Sequence, residues 1–320
     1  MRAVLGHHRY ESAEKFIAEV FWRSYWKGWL EQRPAVWSSY LADVSALVPG
    51  TAVAEAMAGR TGIDAFDHWA HELAETGYLH NWARMQVASI WVFTLGLPWQ
   101  LGAQWFLDRL IDADPASNSL SWRWVAGLHT PGKTYLADAD RIAAMTGGRF
   151  RPEGLSHTAR IPEAPPHPPR SALRAPLVID PALPTLILLT PEDCALETVL
   201  PALDVRIVMV AHDIARNAWD QIALADAASR AATHWQCPVG AGDVATLAVQ
   251  HGCTQVVTGF AAVGPVASRL EAMREPLGAQ GIALAEHQRE WDRLCWPHCG
   301  KGFFNLKTEI PRLLETLALI

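Results

Sequence analysis

Leu110-Ile-Asp-Ala-Asp-Pro-Ala-Ser-Asn-Ser-Leu-Ser-Trp-Arg-Trp124 is the most informative segment of the chain, together with the earlier segment His80-Asn-Trp-Ala-Arg-Met85. The two segments bring an amide, a guanidinium, two carboxylates and a pair of indoles into a short part of the chain.

The region around this stretch has a helical pattern. From about residue 10 to residue 150, apolar side chains recur at intervals of three and four, first at Phe16, Val20, Phe21, Trp22 and Tyr25. We predict that Ser12 caps the first long helix, and that Ser117 or Asn118 caps a helix after the Asp112–Asp114 turn. Residues 1–150 are therefore predicted to form an all-helical domain.

The second half of the chain has a different pattern. Residues 151–184 are rich in proline, which predicts an extended, semi-rigid linker. Beyond it, short β-branched runs alternate with helix-length segments, at Thr185–Thr190, Val205–Ala211 and Thr254–Gly259. Residues 185–320 are therefore predicted to form a parallel α/β domain. No Gly-x-Gly-x-x-Gly segment follows the first predicted strand, which argues against a dinucleotide site of the usual kind.

Composition limits the possible partners. The chain has 320 residues and a net charge of −6, so any contact with DNA must come from a local basic patch. The cysteines are five in number, lie in the second half and lack paired spacing, which predicts reduced thiols and a cytoplasmic protein. No signal peptide or membrane-spanning run is evident. Cys295-Trp-Pro-His298-Cys299 offers too few ligands for a zinc site, so no metal is predicted.

The two quoted segments resemble the FAD-binding domain of the photolyase/cryptochrome family. Members of that family carry a His-Asn-x-x-Arg-Met segment, an Asp-Gly-Asp segment, an asparagine four residues later and a Trp-x-Trp pair. This chain has the same order at His80 to Met85, Asp112, Asp114, Asn118, Trp122 and Trp124. Residues 185–320 resemble, less specifically, the Rossmann-like α/β domain that normally precedes the flavin domain. The resemblance therefore implies the two domains in reversed order, as in a circular permutation.

The resemblance implies FAD as the cofactor and a set of residues that hold it. The cofactor-binding residues are Arg23, Asn81, Arg84, Asp112, Asp114 and Asn118. Among them, Asn118 corresponds to the side chain that faces flavin N5. Other interpretations stay open at this point: a helix cap for Asn118, solvated helix-end charges for the two aspartates, and a surface ion pair for Arg84.

The resemblance also implies a path for electrons. Trp122 corresponds to the indole nearest the flavin, and Trp99 to the next one outward. Together with Asn118 they are the predicted catalytic residues. Residues 46–57, where the resemblance places an outermost member of the path, contain no tryptophan. The chain has 15 tryptophans, so packing in the core is the alternative role for any one of them.

The implied substrate is a pyrimidine dimer in damaged DNA. Glu19, Trp22, Asn81, Met85 and Trp124 correspond to residues that contact the dimer. The implied reaction is light-driven repair of a cyclobutane pyrimidine dimer by electron transfer from reduced FAD, the activity of a deoxyribodipyrimidine photo-lyase. No membrane or obligate protein partner is indicated, and the sequence does not identify an antenna pigment. The alternative role of Trp22 and its neighbours is an apolar core stripe.

Three departures from the family pattern support a second hypothesis. Trp82 stands where repair enzymes usually carry an arginine, and Ala113 replaces the glycine between the two aspartates. The family's Thr-Ser-x-Leu-Ser-Pro segment, which holds the flavin pyrophosphate, is expected before Tyr10 and is absent, so the helical domain is predicted to be incomplete at its N-terminus. The alternative functions are a cryptochrome-like or vestigial flavin-binding module without repair activity, or a helical structural protein.

Overall fold

A computed structural model describes residues 1–130 and 132–320 of the chain. It contains two compact units. One comprises Met1–Pro34 with Arg170–Ile320, and the other comprises Ala35–Pro169. The first 34 residues thus group with the second half of the chain. The boundaries at residues 150 and 184 stay predictions.

The first half of the chain is helical, as predicted. Within its described residues the regular elements are helices only, with one π-helical turn at Ile90–Thr94. The α-helices are α1 (Arg2–His7), α2 (Tyr10–Glu31), α3 (Pro34–Ala46), α4 (Thr51–Met57), α5 (Asp64–Thr76), α6 (Asn81–Ser89), α7 (Trp99–Arg109), α8 (Pro115–Val125) and α9 (Ala139–Met145).

The predicted helix caps were wrong. Helix α2 begins at Tyr10 with Arg9 as its N-cap, so Ser12 lies inside the first turn. Helix α8 begins at Pro115, and the Asp114 carboxylate caps it by accepting a hydrogen bond from the Ser117 amide at 2.7 Å. Proline suits the first helical position and keeps the residue before it extended, which makes Asp114 the natural cap.

The second half forms one parallel sheet. Its strands are β1 (Thr185–Leu189), β2 (Val205–Val210), β3 (Val239–Gly240), β4 (Gln255–Gly259) and β5 (Ala283–His287), in the order β3-β2-β1-β4-β5. The three predicted strands are confirmed as β1, β2 and β4. All residues of β1 and β4 are buried, because apolar clusters cover both faces of the sheet.

Helices accompany the strands and complete this unit. They are α10 (Ala218–Trp235), α11 (Val244–Gln250), α12 (Pro265–Gly278), α13 (Glu290–Cys295), α14 (Phe303–Lys307) and α15 (Ile310–Thr316). Helix α2 packs against α13, α14 and the 3-10 turn Trp296–Cys299 between them. Gly28 makes the close approach possible, since a β-carbon there would lie 2.8 Å from the Trp296 ring and 2.9 Å from Cys299 Sγ.

The cysteines are all free thiols. Cys253, Cys295 and Cys299 are buried, and Cys194 and Cys237 are partly exposed. The described residues contain no group of three or more histidine, cysteine or acidic side chains arranged to hold a metal ion. No helix in the described ranges combines the length and apolarity needed to cross a membrane.

Candidate functional site

The guanidinium of Arg84 is fixed in the unit formed by Ala35–Pro169. Its Nη2 lies 3.0 Å from Asp112 Oδ1 and 3.2 Å from Oδ2, and its Nε donates to the Leu79 carbonyl at 2.8 Å. Helix α6 begins at Asn81, so Arg84 lies in its first turn. The Arg84 side chain can therefore reach Leu79, which immediately precedes the helix cap. The Arg84 side chain is 22% exposed and that of Asp112 50% exposed. The pair therefore presents a partly open carboxylate next to a positioned cation.

Asp114 immediately precedes helix α8 and Asn118 lies in its first turn, both shortly after Asp112 in the sequence. Asp114 is 2% exposed and caps the helix. The backbone N–H of Asn118 donates to the backbone carbonyl of Asp114 at 2.8 Å. Asn118 is therefore inside the helix, and its side chain does not cap the helix. Instead, Asn118 Nδ2 donates to the Ala103 carbonyl of helix α7 at 2.7 Å. Its Oδ1 accepts no hydrogen bond within the described part of the chain and remains available to a ligand.

Trp122 is one of the most tightly packed indoles of this unit. It is 2% exposed, and its ring makes edge-to-face contacts with Trp91 at 6.1 Å and Phe106 at 5.1 Å. Gly102 of helix α7 provides the space, because a β-carbon there would fall within contact distance of both indoles. The packing fixes the ring orientation of Trp122.

Trp99 lies in a different aromatic group of the same unit. It is 4% exposed, and its ring stacks on Tyr40 at 5.7 Å. The guanidinium of Arg123 lies 5.6 Å from the Trp99 ring centroid. Burial lowers the pKa of Arg123, and burial raises the pKa of Tyr40. Tyr40 also contacts Trp37 at 5.1 Å, which extends the aromatic group away from Trp99.

The remaining predicted substrate residues of this unit lie on helices α6 and α8. Asn81 is the exposed first residue of α6, and Met85 is half-buried one turn later. Trp124 is half-buried near the end of α8. The structure thus places Asn81 and Met85 on one helix, with Trp124 on a helix that contacts it.

Tyr135, beside Trp124, and Gln86, which is bonded to Tyr135, were missed by the sequence analysis. Tyr135 lies 6.0 Å from Trp124, measured between ring centroids. The fully buried Gln86 donates from Nε2 to the Tyr135 hydroxyl at 2.7 Å, and its Oε1 is buried without a partner. A glutamine among the buried residues of α6 was the available signal, because a buried amide requires hydrogen-bonding partners.

Glu19, Trp22 and Arg23 belong to the other compact unit, on helix α2. The Trp22 ring stacks on Phe303 with centroids 3.8 Å apart and planes 10° apart, and its edge meets Tyr25. One face of the indole is therefore covered by its own unit. Glu19 and Arg23 are exposed.

Comparison with known proteins identifies the domain to which the helical residues belong. Residues 16–155 match the model of a family described as the FAD binding domain of DNA photolyase. The chain is 39% identical over 119 residues to the deoxyribodipyrimidine photo-lyase of Streptomyces griseus, covering 37% of this chain and 26% of that protein. It is 31% identical over 173 residues to a deoxyribodipyrimidine photo-lyase of Thermus thermophilus, covering 50% and 39%. Cryptochrome-2 of Arabidopsis thaliana is 37% identical over 112 residues, covering 32% and 18%.

The chain spans less than half the length of each of these relatives. The matched domain has FAD as its cofactor. The residues present fit that group, because the available Oδ1 of Asn118 and the positioned Arg84–Asp112 pair supply an acceptor, a cation and an anion within the matched range. A flavin ring offers complementary N–H and carbonyl groups to such a set.

Proposed function

We propose that this chain, which belongs to the photolyase/cryptochrome family, is a light-driven flavoprotein that repairs cyclobutane pyrimidine dimers in DNA. One observation carries the proposal. The Nδ2 of Asn118 is bonded to the Ala103 carbonyl, which leaves its Oδ1 available, and Asn118 follows shortly after the buried Asp114 and after Asp112, whose carboxylate pairs with Arg84. A preorganised acceptor of this kind suits a ring nitrogen that carries a proton.

The residues proposed to hold FAD have distinct tasks. Asn118 Oδ1 would accept from the N–H at flavin N5, which would favour the reduced ring. The Arg84–Asp112 pair positions the polar edge of the ring, and Asp114 holds the first turn of helix α8 in place. Arg23 and Asn81 are the further proposed contacts. The chemistry that reduced FAD supplies when bound is light-driven donation of one electron to the dimer and its recovery after two carbon–carbon bonds have split.

Trp122 and Trp99 are proposed to relay electrons to the cofactor. The burial of both rings supports this role, because a ring held in one orientation without water needs little rearrangement when it loses an electron. Trp122 is the proximal member. Trp99, with the Tyr40 ring stacked on it, is the next step outward.

Glu19, Trp22, Asn81, Met85 and Trp124 are proposed to bind the dimer. Extrusion of two bases from a duplex costs a few kcal/mol, which aromatic stacking offsets at about 1–3 kcal/mol per base. The half-buried Trp124 supports such a role, since it keeps part of its ring accessible. Damaged DNA is accordingly the proposed partner. A cytoplasmic location is proposed from the five free thiols.

A second candidate function is a flavin-binding module without repair activity. Two observations favour it. Phe303 covers one face of Trp22, which leaves less of that indole for a base. Trp82 occupies the position of a phosphate-binding arginine and instead contacts Trp69 at 5.9 Å.

One experiment separates the two candidates. The purified chain is titrated with FAD and the visible flavin band is recorded, then the loaded protein is illuminated with an oligonucleotide that contains one thymine dimer. Loss of the dimer in light, and its persistence in the dark, supports repair. Bound flavin with an intact dimer supports the second candidate, and a chain that binds no FAD contradicts both.

A matched pair of variants sharpens this test. Trp124→Ala is expected to slow dimer loss while the flavin band stays unchanged. Trp219→Ala is the control, because Trp219 is 46% exposed on helix α10 of the α/β unit. Equal repair by the two variants would contradict the role of Trp124.

A further inference from the structure

The side chains of Arg33 and Arg170 lie against Gly300 in the unit that contains the sheet. Arg33 Nη2 donates to the Gly300 carbonyl at 2.9 Å, and the guanidinium of Arg170 packs against the Gly300 α-carbon so closely that a side chain there would collide with it. Lys301, the next residue along the chain, is exposed. We refer to Arg33, Arg170 and Lys301 as the Gly300 patch.

Arg33 is the most buried residue of the patch. Its guanidinium lies 4.3 Å above the Trp29 ring, and its Nε and Nη1 are buried without a hydrogen-bond partner. Burial lowers the pKa of Arg33, and the neighbouring charge of Arg170 lowers it further. The fold therefore keeps two like charges close together at a cost in free energy.

The patch differs from most arginine and lysine residues of this unit in having no acidic partner. Lys27 pairs with Glu192, Arg174 with Glu31, and Lys307 with Glu14. Among residues 1–130 and 132–320, no aspartate or glutamate forms an ion pair with Arg33, Arg170 or Lys301. An anion bound at the exposed Arg170 would relieve the repulsion between the two guanidinium groups.

We infer that the Gly300 patch binds the phosphodiester backbone of a nucleic-acid strand. The inference rests on the proposed function in taking DNA as the partner. Arg170 and Lys301 are exposed at the surface, as contacts to an extended strand require. The net charge of −6 gives the protein no general attraction for DNA, so binding depends on such a local group of cations.

The test measures binding to undamaged DNA, which separates this inference from repair. A fluorescein-labelled oligonucleotide without a lesion is titrated with the full chain, and its anisotropy is recorded at several salt concentrations. The double variant Arg170→Ala, Lys301→Ala is expected to bind about tenfold more weakly at about 50 mM salt. The slope of log K against log salt is expected to become shallower by about 1.4–1.8, for two lost phosphate contacts.

Arg206→Ala is the matched control. Arg206 is an exposed arginine of the same unit that pairs with Asp204, so its loss removes one positive charge outside the patch. The control is expected to bind like the unmodified chain. A competition series with inorganic phosphate distinguishes a strand from a free anion, since displacement of the oligonucleotide at low millimolar phosphate would indicate a site for the free ion.

The outcomes decide the inference independently of the proposed function. Equal affinities and slopes for the double variant and the unmodified chain would overturn it, even if light-driven repair occurs. Absence of salt-dependent DNA binding by the unmodified chain would overturn it as well. A selective loss in the double variant would support it, even if the chain binds no FAD.

Discussion

The carboxamide of Asn118 is tied to the main chain of Ala103, with Nδ2 donating to the carbonyl oxygen at 2.7 Å. The bond joins helices α7 and α8 and determines which side of the amide remains available. Because nitrogen faces Ala103, the available atom is an acceptor. The proposed role of Asn118 at flavin N5 depends on this orientation.

Replacement of Asn118 tests that role. Asn118→Leu removes both the bond to helix α7 and the free acceptor, so we expect the dissociation constant for FAD to rise about fivefold to tenfold, as for the loss of one net hydrogen bond. The measurement is quenching of flavin fluorescence. Ser117→Ala is the control, because the Ser117 hydroxyl is buried without a partner and its removal is expected to leave binding unchanged. Unaltered affinity in Asn118→Leu would contradict the assignment.

The Arg84–Asp112 pair is expected to respond unequally to its two conservative substitutions. Arg84→Lys keeps the charge but loses the Nε donor to Leu79, so the free energy of unfolding should fall by about 1–2 kcal/mol. Asp112→Asn should cost less than about 1 kcal/mol, since Asp112 is half exposed and its ion pair is partly screened. Urea titration measures both. A larger loss in Asp112→Asn than in Arg84→Lys would show that the ion pair, not the Leu79 bond, positions the arginine.

Gly102 is expected to be intolerant of alanine. A β-carbon there would lie 2.4 Å from the Trp122 ring and 3.0 Å from the Trp91 ring, and overpacking of this kind costs about 1–3 kcal/mol. Alanine gains about 1 kcal/mol in helix propensity, so the net change should be destabilising. Thermal unfolding, followed by tryptophan fluorescence, measures it.

Gly278→Ala is the control for Gly102→Ala. Gly278 ends helix α12 with open space around it, so the substitution should leave stability unchanged or raise it by a few tenths of a kcal/mol. Equal changes in stability for the two variants would show that the Trp122 ring moves aside without a measurable cost in free energy of unfolding.

Glu31 is expected to anchor helix α2 to its unit. The buried carboxylate accepts from Arg174 Nε at 2.6 Å, from Arg174 Nη2 at 3.1 Å and from the Val263 amide at 3.1 Å. Glu31→Gln keeps the shape but loses charge-assisted bonds, which should lower the free energy of unfolding by about 1.5–3 kcal/mol. Glu55→Gln, in the exposed Glu55–Arg60 pair, is the control and should show no measurable change. If both variants unfold alike in urea, Glu31 does not anchor the helix.

Stability is expected to fall in alkaline solution because of buried thiols. Burial raises the pKa of Cys253 to about 11 and that of Cys295 to about 12, from 9.0. The folded chain retains these protons where the unfolded chain has lost them. The stabilisation is therefore full below about pH 9 and declines as the pH rises towards 11–12. Melting temperatures between about pH 8 and about pH 10.5 should show the decline, and Cys253→Ala should reduce its slope. An equally steep decline in Cys253→Ala would rule out that thiol as a cause.

Much of the fold could be predicted from local pattern. The β-branched runs at Thr185–Thr190 and Val205–Ala211 predicted strands correctly, because central strands of a parallel sheet are buried on both faces and must be continuously apolar. The helix caps could not be read so directly. Asparagine and serine are common caps, and both follow Pro115. The cap is Asp114 instead, because proline restricts the residue before it to an extended backbone conformation.

Local sequence was enough to predict the helical and parallel-sheet character of the two halves and the order of the polar side chains around helices α6 and α8. Two features required the folded structure: the hydrogen bond from the Asn118 side chain to Ala103, and the packing of helix α2 with residues near the far end of the chain, such as Phe303. The physical reason is that periodicity specifies which face of a helix is apolar but not which distant segment covers it. Which segment covers the helix depends on the shape of the packed interior. At Gly28, for example, the absence of a β-carbon lets Trp296 and Cys299 pack closely against helix α2.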